Sequence, residues 1–345
     1  MENKNIKTVL IDGYLDEPSC LGVPPYISPH IRYTYGALIE AGIQEKNLTY
    51  RTIDQLRSNW ETNLEKLEAF DLVILIAGTT VPGHYLGGKP ISLAEIRKMA
   101  TSLHYPQKIL GGPITLIKDE IQGFDFICNE IAARDLYQVL TDNKINKNHL
   151  TKYIETWAQI GAKVTKKHPD YPHLVCELET FRGCPRSDHC AFCSERLKTI
   201  TYQKKPETVI KEVQALAEAG NHYYRIGCQT DLTMYQAQTE NNLLIPNPEA
   251  IEKLYSGIRK ADPELKVLHM DNINPANIVN YPNKCQKILE TITKYNTTGD
   301  IAAFGLESAD PVVLEKNNIE TDPELTFEAI KIINEIGGFR EKGIP

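Results

Sequence analysis

Residues 182–193 have the sequence RGCPRSDHCAFC, and this stretch is the strongest indication of the fold and function of the chain. Three cysteines, Cys184, Cys190 and Cys193, follow one another with the spacing C-x5-C-x2-C. An apolar, β-branched run at 174–181 comes just before them and predicts a strand, so the cysteines lie in the loop at its carboxyl end. In an α/β barrel that end of the strands carries the active site.

The number of cysteines in this loop bears on the kind of metal site. Thiolates hold iron–sulfur clusters, and three protein thiolates leave one corner of a four-iron cluster open. An open position distinguishes a catalytic metal site from a closed structural one. The alternative is a structural zinc site made of the three cysteines and His173, Cys176 or His189. Zinc ligands commonly come in two paired spacings, and no second C-x2-C follows here, so the pattern favours a cluster.

The stretch resembles the cluster loop of radical S-adenosylmethionine (SAM) enzymes. In that family C-x3-C-x2-C carries an aromatic residue before the third cysteine, as Phe192 does here. The lead-in RGCP is similar to that of the cobalamin-associated branch, whereas the first gap has five residues instead of three. The resemblance implies that Cys184, Cys190 and Cys193 hold a 4Fe–4S cluster whose open iron binds SAM. It also implies an external reductant, and cleavage of SAM to methionine and a 5′-deoxyadenosyl radical.

Length and composition restrict the class of protein. The chain has 345 residues, enough for two domains of ordinary size. Its formal net charge is −7 without a dense lysine or arginine block, which argues against nucleic acid and anionic membranes as partners. Apolar runs such as 72–77 are far shorter than a membrane span. No signal-peptide stretch follows Met1 and the eight cysteines form no disulfide framework, so we expect a cytoplasmic location.

Strands and helices alternate in the first part of the chain. This alternation predicts a Rossmann-like, doubly wound parallel sheet over residues 1–141. The ligands of such sheets bind at the carboxyl ends of the strands. The predicted strands are 7–12, 48–53, 71–78, 108–110 and 124–128, and the predicted helices are 30–41, 54–67, 92–103 and 130–140.

Three loops at that end suggest a bound ligand. They contain Tyr14, Gly78, and the pair Gly111-Gly112, and glycine lets the backbone approach a ligand closely. The arrangement resembles the cobalamin-binding-type domain that precedes many radical SAM cores, and ILGGP at 109–113 is similar to its strand-four turn. The resemblance implies cobalamin contacts at these four residues. Tyr14 stands where D-x-H-x-x-G would place a cobalt-ligating histidine, which puts that ligation in doubt.

Two histidines lie in loops that face the same predicted edge. His30 begins the first predicted helix, and His84 follows the third predicted strand. We interpret both as polar loop residues rather than cobalt ligands.

A polar, lysine-rich and proline-studded segment at 142–172 follows and is predicted to be a linker with one helix at 149–160. Residues 173–345 again alternate strands and helices, which predicts a partial (βα) barrel, the radical SAM core. The strands are predicted at 174–181, 223–226, 266–269 and 301–306, and the helices at 206–219, 247–260, 285–295 and 321–336.

Polar residues follow the predicted barrel strands and are candidates for binding SAM. Gln229, Thr230 and Asp231 follow the second strand. The run GLESADPVVLEKNN at 305–318 is similar to the G-I/L-E-S signature of the cobalamin-type branch, which implies SAM contacts at Glu307 and Ser308, with Phe192 as a further one. Helix capping is the alternative at each position, and Asp310 before Pro311 is predicted to be a cap.

The resemblance implies six βα units, whereas only four are predicted before the chain stops at Pro345. We expect a truncation after the fourth unit, with completion by another chain as the alternative. The implied function is a radical SAM enzyme, a cobalamin-dependent methyltransferase acting on an unactivated carbon. A radical SAM enzyme whose first domain no longer binds cobalamin and a non-catalytic, metal-stabilised binding module are the alternatives. The substrate, a protein side chain or a small molecule, and any catalytic residue beyond the cluster stay open.

Overall fold

The computed structural model describes residues 5–78, 87–241 and 243–337, except the side chains of 118–120. The chain divides into two compact units. The first comprises Met1–Glu177 with Ala215–Asn221, and the second comprises Leu178–Gln214 with His222–Pro345.

The first unit is built on a parallel sheet of five strands. The strands of the whole unit, in chain order, are β1 Thr8–Asp12, β2 Asp16–Glu17, β3 Cys20–Leu21, β4 Tyr26–Ile27, β5 Leu48–Thr52, β6 Leu72–Ile76, β7 Gln107–Gly111 and β8 Phe126–Ile127. The large sheet has the order β5-β1-β6-β7-β8, and its paired strands run parallel. All residues of β1 and β6 are buried, as expected for strands with both sheet faces covered. The predicted parallel α/β sheet is confirmed.

Among the described residues the α-helices that accompany this sheet are α1 Pro29–Glu40, α2 Ile53–Arg57, α3 Trp60–Leu67, α4 Leu93–Ser102, α5 Ala132–Thr141 and α6 Leu150–Gly161. The predicted single helix at 54–67 was wrong, because the structure divides it into α2 and α3. The Asn63 side chain donates from Nδ2 to the carbonyls of Gln55 and Leu56, at 2.9 and 3.2 Å. These bonds take up the last carbonyls of α2 and end that helix.

The predicted linker at 142–172 is largely helical and belongs to the first unit. Its helix α6 packs along α1, and both helices meet through glycines. A Cβ on Gly36 would lie 2.1 Å from the Trp157 carbonyl oxygen, and one on Gly161 would lie 1.8 Å from the Arg32 carbonyl oxygen. Trp157 is fully buried, and its Nε1 donates to Glu40 Oε2 at 2.5 Å. The apolar face of α6 is therefore part of the core of the first unit. The high charge of the segment led to the linker prediction and did not indicate this buried face.

The second unit alternates strands and helices. The division between the units falls inside β9 Val175–Glu179 and inside α7 Pro206–Glu218. The remaining strands are β10 Phe181–Arg182, β11 Tyr202–Gln203, β12 Tyr223–Gly227, β13 Gln238–Glu240, β14 Leu243–Ile245 and β15 Val267–Met270. The remaining helices are α8 Pro248–Ala261, α9 Pro275–Asn280, α10 Pro282–Tyr295, α11 Pro311–Lys316 and α12 Pro323–Gly337. Strand β12 lies between β9 and β15 and runs parallel to β15.

The strand predicted at 301–306 was wrong. The structure forms a single parallel bridge there, between Ala303 and Asn272. Among the described residues no strand pairs with the other side of this segment, and Ile301 is 56% exposed. An extended segment paired at one point alone lacks the hydrogen bonds that hold a strand.

In the part of the chain that the structure describes, no helix combines the length and the apolar character needed to cross a membrane.

Candidate functional site

The cysteine loop of the second unit is closed at its base. Strand β10 pairs antiparallel with β11, placing Phe181 opposite Gln203 and Arg182 opposite Tyr202. Gly183 follows β10 with φ +100°, and a Cβ there would lie 2.6 Å from Thr201 Cγ2. Glycine is therefore required at the start of the loop. We did not predict β11, although the β-branched run at 199–201 before it was a signal.

The three cysteines of this loop are half-buried. The Cys193 N–H donates to the Cys190 carbonyl at 3.2 Å, which brings the C-x2-C pair into one turn. Burial raises the pKa of the Cys184 and Cys193 thiols. At Cys184 the Arg186 backbone N–H and the Thr230 hydroxyl oppose this rise in pKa. Because only thiolates bind metals, a cation would have to supply the remaining stabilisation.

The spacing of the sulfur atoms bears on the zinc alternative. Among the described residues, the groups of three or more potential ligands with all donor atoms within 4.8 Å of one another do not include the three loop cysteines. Tetrahedral zinc with thiolates at about 2.3 Å needs sulfurs about 3.8 Å apart. A cluster binds each thiolate at a separate iron, which requires wider spacing. The loop geometry therefore favours a cluster over one zinc ion.

The segment 317–320, which follows α11, supports the cysteine loop. The Ala191 N–H donates to the Asn317 carbonyl at 3.0 Å, and Asn318 Nδ2 donates to the His189 carbonyl at 3.4 Å. The Arg186 guanidinium reaches Cys190 Sγ and also contacts this segment. These supporting residues were not predicted, because no local sequence pattern connects the two segments.

Gln229 follows β12 and carries an unsatisfied polar atom. Its side chain is 1% exposed, and Nε2 donates to the Asn272 carbonyl at 3.4 Å. Oε1 has no hydrogen-bond partner among the described residues. A buried acceptor without a donor costs about 1–3 kcal/mol, which a ligand donor would recover. Gln229 is therefore a suitable residue for a ligand N–H or O–H.

Asp231 has a structural role in the same loop. Its Oδ1 accepts from Thr233 N and Oγ1 at 3.0 and 2.7 Å and from Asn274 N at 3.2 Å, and its Oδ2 accepts from Asn277 Nδ2 at 2.5 Å. These bonds tie the loop after β12 to the loop after β15. Burial raises the pKa of Asp231 above its ordinary value. Its predicted contact with SAM stays a prediction.

The other predicted SAM contacts differ in exposure. Phe192 is 58% exposed, and Glu307 is exposed as well. Ser308 Oγ accepts from the Asp310 N–H at 3.1 Å. Asp310 Oδ1 accepts from the N–H groups of Val312 and Val313 at 2.8 and 3.2 Å, so it caps α11. The exposed ring of Phe192 is open to stacking, and the contacts of Glu307 and Ser308 with SAM stay predictions.

In the first unit, Tyr14 lies just beyond β1. It has φ +61° and is 3% exposed. Its N–H donates to Asp12 Oδ1 at 2.9 Å, and the Tyr50 hydroxyl donates to Asp12 Oδ2 at 2.9 Å. Burial raises the pKa of Asp12 from 3.8 to about 7, although both hydrogen bonds lower it. The carboxyl end of β1 therefore holds a buried acid that titrates near neutrality.

Close packing within the protein explains why glycine is present at these loop positions. A Cβ on Gly78 would lie 2.8 Å from Asp16 N, and one on Gly111 would lie 2.6 Å from Ala132 Cβ. Gly112 has φ +89°, and its Cβ would lie 2.5 Å from the Ala77 carbonyl oxygen. The protein's own atoms fill the space beside each glycine. These residues therefore do not by themselves indicate a ligand, and their cobalamin contacts stay predictions.

A polar cavity of about 610 Å³ lies at the carboxyl ends of β1 and β5. Tyr14, Arg51, Asp54 and His168 are among its lining residues. His168 is 5% exposed, and its Nδ1 accepts from the Asp170 N–H at 3.0 Å. Burial lowers the pKa of His168 to about 4, so the ring is neutral and Nε2 carries the hydrogen. Among the described residues Nε2 is buried and has no hydrogen-bond partner.

Of the two loop histidines named from the sequence, only His30 lies among the described residues. His30 Nε2 is 3.8 Å from Glu17 Oε2 in the first unit, and His84 lies outside the described residues. His168 was missed because it lies in the segment that we predicted to be a linker.

The Asp12 pKa predicts a pH effect on stability. Because this pKa is higher in the folded than in the unfolded chain, Asp12 stabilises the fold most below about pH 4, and this contribution is lost as the pH rises to about 7. The free energy of unfolding of the wild type relative to Asp12→Asn should fall by up to about 1.4 kcal/mol per pH unit in this window. Urea unfolding of both proteins at several pH values measures this difference in the free energy of unfolding. Asp142→Asn, which changes an exposed carboxyl of the same unit, is the control, and an equal fall there would contradict the assignment.

Comparison with solved structures relates this geometry to known enzymes. The radical SAM methyltransferase TsrM of Kitasatospora setae, solved with tryptophan substrate and a SAM analogue, matches 96% of this chain and 66% of its own at a TM-score of 0.61 and 15% identity. The cobalamin-dependent SAM radical enzyme OxsB, solved with aqua-cobalamin and SAM, matches 96% of this chain and 48% of its own at 0.62 and 14%. The chain shares the fold of these enzymes. At this identity the likeness concerns the fold alone.

Sequence relatives are closer but carry no assigned activity. An uncharacterized protein of Archaeoglobus fulgidus is 42% identical over 342 residues, covering 96% of this chain and 61% of that protein. An uncharacterized protein of Methanocaldococcus jannaschii is 39% identical over 368 residues, covering 98% of this chain and 66% of that protein. The chain therefore spans less than two thirds of the length of either relative. No family model matches the chain.

Proposed function

We propose that this chain provides the cofactor-binding part of a radical SAM enzyme, a cobalamin-dependent methyltransferase. The observation that carries the proposal is the closed loop after β9 and β10, which presents Cys184, Cys190 and Cys193 half-buried. The fold shared with TsrM and OxsB, whose descriptions name SAM and cobalamin, supports it.

The donor set of the loop fits a 4Fe–4S cluster. Cys184, Cys190 and Cys193 would each bind one iron, and the fourth iron would take SAM. When bound, the cluster supplies the one-electron chemistry that cleaves SAM to a 5′-deoxyadenosyl radical, with the electron coming from an external reductant. The residues of the chain hold the thiolates at fixed positions, since β10 and β11 close the loop and 317–320 supports it.

The second unit also offers groups for SAM. The unpartnered Oε1 of Gln229 would accept from the ligand, and the exposed ring of Phe192 would cover it. Glu307 would accept from the ammonium or ribose hydroxyls, with Ser308, Thr230 and Asp231 as further contacts. These groups bind and orient the ligand, and the chemistry comes from the cofactors.

The first unit offers a polar cavity for part of a cobalamin. The corrin rim bears carboxamides, which both donate and accept hydrogen bonds. The His168 Nε2–H and the Arg51 guanidinium would donate to carboxamide oxygens, and Asp54 would accept from their N–H groups. Tyr14, Gly78, Gly111 and Gly112 would lie along the same sheet edge, and none of them would ligate cobalt. The proposed reaction replaces a hydrogen on an unactivated carbon of a protein side chain or a small molecule by a methyl group. The 5′-deoxyadenosyl radical would remove the hydrogen atom and methylcobalamin would supply the methyl group, to be restored by a second SAM and an electron from the external reductant.

A radical SAM enzyme that lacks cobalamin is the second candidate. Two observations favour it, namely that packing explains the glycines of the sheet edge and that Tyr14 occupies the position of the family's histidine. In that case the first unit would only shape the substrate site. A non-catalytic module stabilised by zinc has less support, because the sulfur spacing does not suit one ion.

One experiment distinguishes the three candidates. Protein reconstituted anaerobically with iron and sulfide is soaked in hydroxocobalamin, desalted and examined by ultraviolet–visible spectroscopy and metal analysis. A broad cluster absorption with retained corrin bands is expected. A cluster without corrin bands would select the second candidate, and zinc without iron would select the binding module. Formation of 5′-deoxyadenosine from SAM after chemical reduction tests the enzyme class separately.

A further inference from the structure

The wide first gap of the cysteine motif has no explanation in the function proposed so far. Five residues separate Cys184 from Cys190, and Arg186 is the only cation among them that is charged at every pH of interest. The guanidinium of Arg186 turns back onto the loop.

Arg186 contacts one of the three cysteines through its side chain. Its Nη1 donates to Cys190 Sγ at 3.3 Å. The guanidinium therefore presents a charged donor to one of the proposed cluster ligands.

The remaining donors of the guanidinium fix its position. Nη2 donates to the Asn318 carbonyl at 3.0 Å, and Nε lies 3.4 Å from Glu320 Oε2. Glu320 in turn accepts from Asn274 Nδ2 at 3.2 Å, which links it to the loop after β15. Asn318 has φ +54°, so its carbonyl is presented from a left-handed turn. Because the fork of an arginine is rigid, these contacts hold Nη1 at the sulfur.

A donor at a thiolate sulfur affects the affinity of a cluster for electrons. Cluster potentials depend on net charge and on hydrogen bonds to the sulfurs. A reduced cluster carries one more negative charge than the oxidised one, so a positive charge and an N–H at the sulfur stabilise the reduced form more. Groups that touch only the ligands typically alter metal binding or activity 10- to 100-fold.

We propose that Arg186 is a positioning residue that raises the reduction potential of the cluster through its N–H···S bond to Cys190. This inference rests on the proposed function, since it requires a cluster on the loop. The two residues by which the gap exceeds the common spacing then have a role, because they allow the chain to turn Arg186 back toward Cys190. The electron itself comes from a low-potential one-electron donor.

The test compares Arg186→Gln and Arg186→Lys with Arg196→Gln in the full chain. Arg196 is an exposed arginine three residues after Cys193, so its change removes the same charge from a position next to the loop. Each protein is reconstituted with iron and sulfide. The measurements are iron and sulfide content and the midpoint potential, from a redox titration followed by electron paramagnetic resonance.

The expected result is a more negative potential for Arg186→Gln, a smaller shift for Arg186→Lys, which keeps the charge, and no shift for Arg196→Gln. Equal potentials for all four proteins at full iron content would overturn the inference while leaving the proposed function intact. An equal shift in both glutamine variants would also overturn it, because the effect would then be that of net charge alone. Absence of iron from the wild type would instead reject the proposed function.

Discussion

Cys190→Ala is expected to abolish cluster binding. The wild type should hold about four irons per chain after reconstitution, and the variant close to none, because an alanine leaves one iron without a thiolate. Loss of one of three protein ligands also leaves the other two too few to hold the cluster against chelators. Iron and sulfide assays with the visible spectrum provide the measurement.

The matched control is Cys285→Ala in the same unit. Cys285 is fully buried in the first turn of α10, and its Sγ donates to the Asn277 carbonyl of α9 at 3.2 Å. This variant loses a cysteine without touching the loop, so its iron content should equal that of the wild type. Full iron content in Cys190→Ala would show that the cysteine loop does not hold the metal.

Gly161→Ala is expected to destabilise the first unit strongly. The new Cβ would lie 1.8 Å from the Arg32 carbonyl oxygen, and the backbone of α1 cannot yield as a side chain would. Helices α1 and α6 would have to separate, which also loosens the buried Trp157. We expect a loss of about 3 kcal/mol or more in the free energy of unfolding.

Urea unfolding followed by tryptophan fluorescence measures this loss. Trp60 and Trp157 are the two tryptophans of the chain, and both lie in the first unit. Gln159→Ala changes an exposed residue of the same helix and should alter the free energy by less than about 0.5 kcal/mol. Similar unfolding midpoints for Gly161→Ala and Gln159→Ala would mean that α6 does not pack closely on α1.

Features that depend on neighbouring residues were predictable from the sequence. The apolar runs that became β1 and β6 indicated the parallel sheet of the first unit, because strands with both faces covered are largely apolar. Local capping residues likewise indicate where helices begin. Ser92 with Glu95 forms a capping box at α4, and Asn247 caps α8.

Features that depend on distant residues were not predictable. The break between α2 and α3 depends on Asn63, and helical propensity does not reveal where its side chain bonds. The segment at 142–172 contains enough charge to resemble a linker, yet one face of α6 is buried. The strand predicted at 301–306 has the right composition but lacks a partner on its other side among the described residues.

The sequence by itself determined the α/β class, the five parallel strands of the first unit and the three-cysteine loop after a strand, because short-range periodicity and spacing encode all of these. Only the tertiary structure revealed the free Nε2 of His168, the free Oε1 of Gln229 and the guanidinium of Arg186 at Cys190. The physical reason is that each depends on which groups remain unpaired, or become paired, after packing. Arg186 finds the Asn318 carbonyl 132 residues away, a contact that no local pattern specifies.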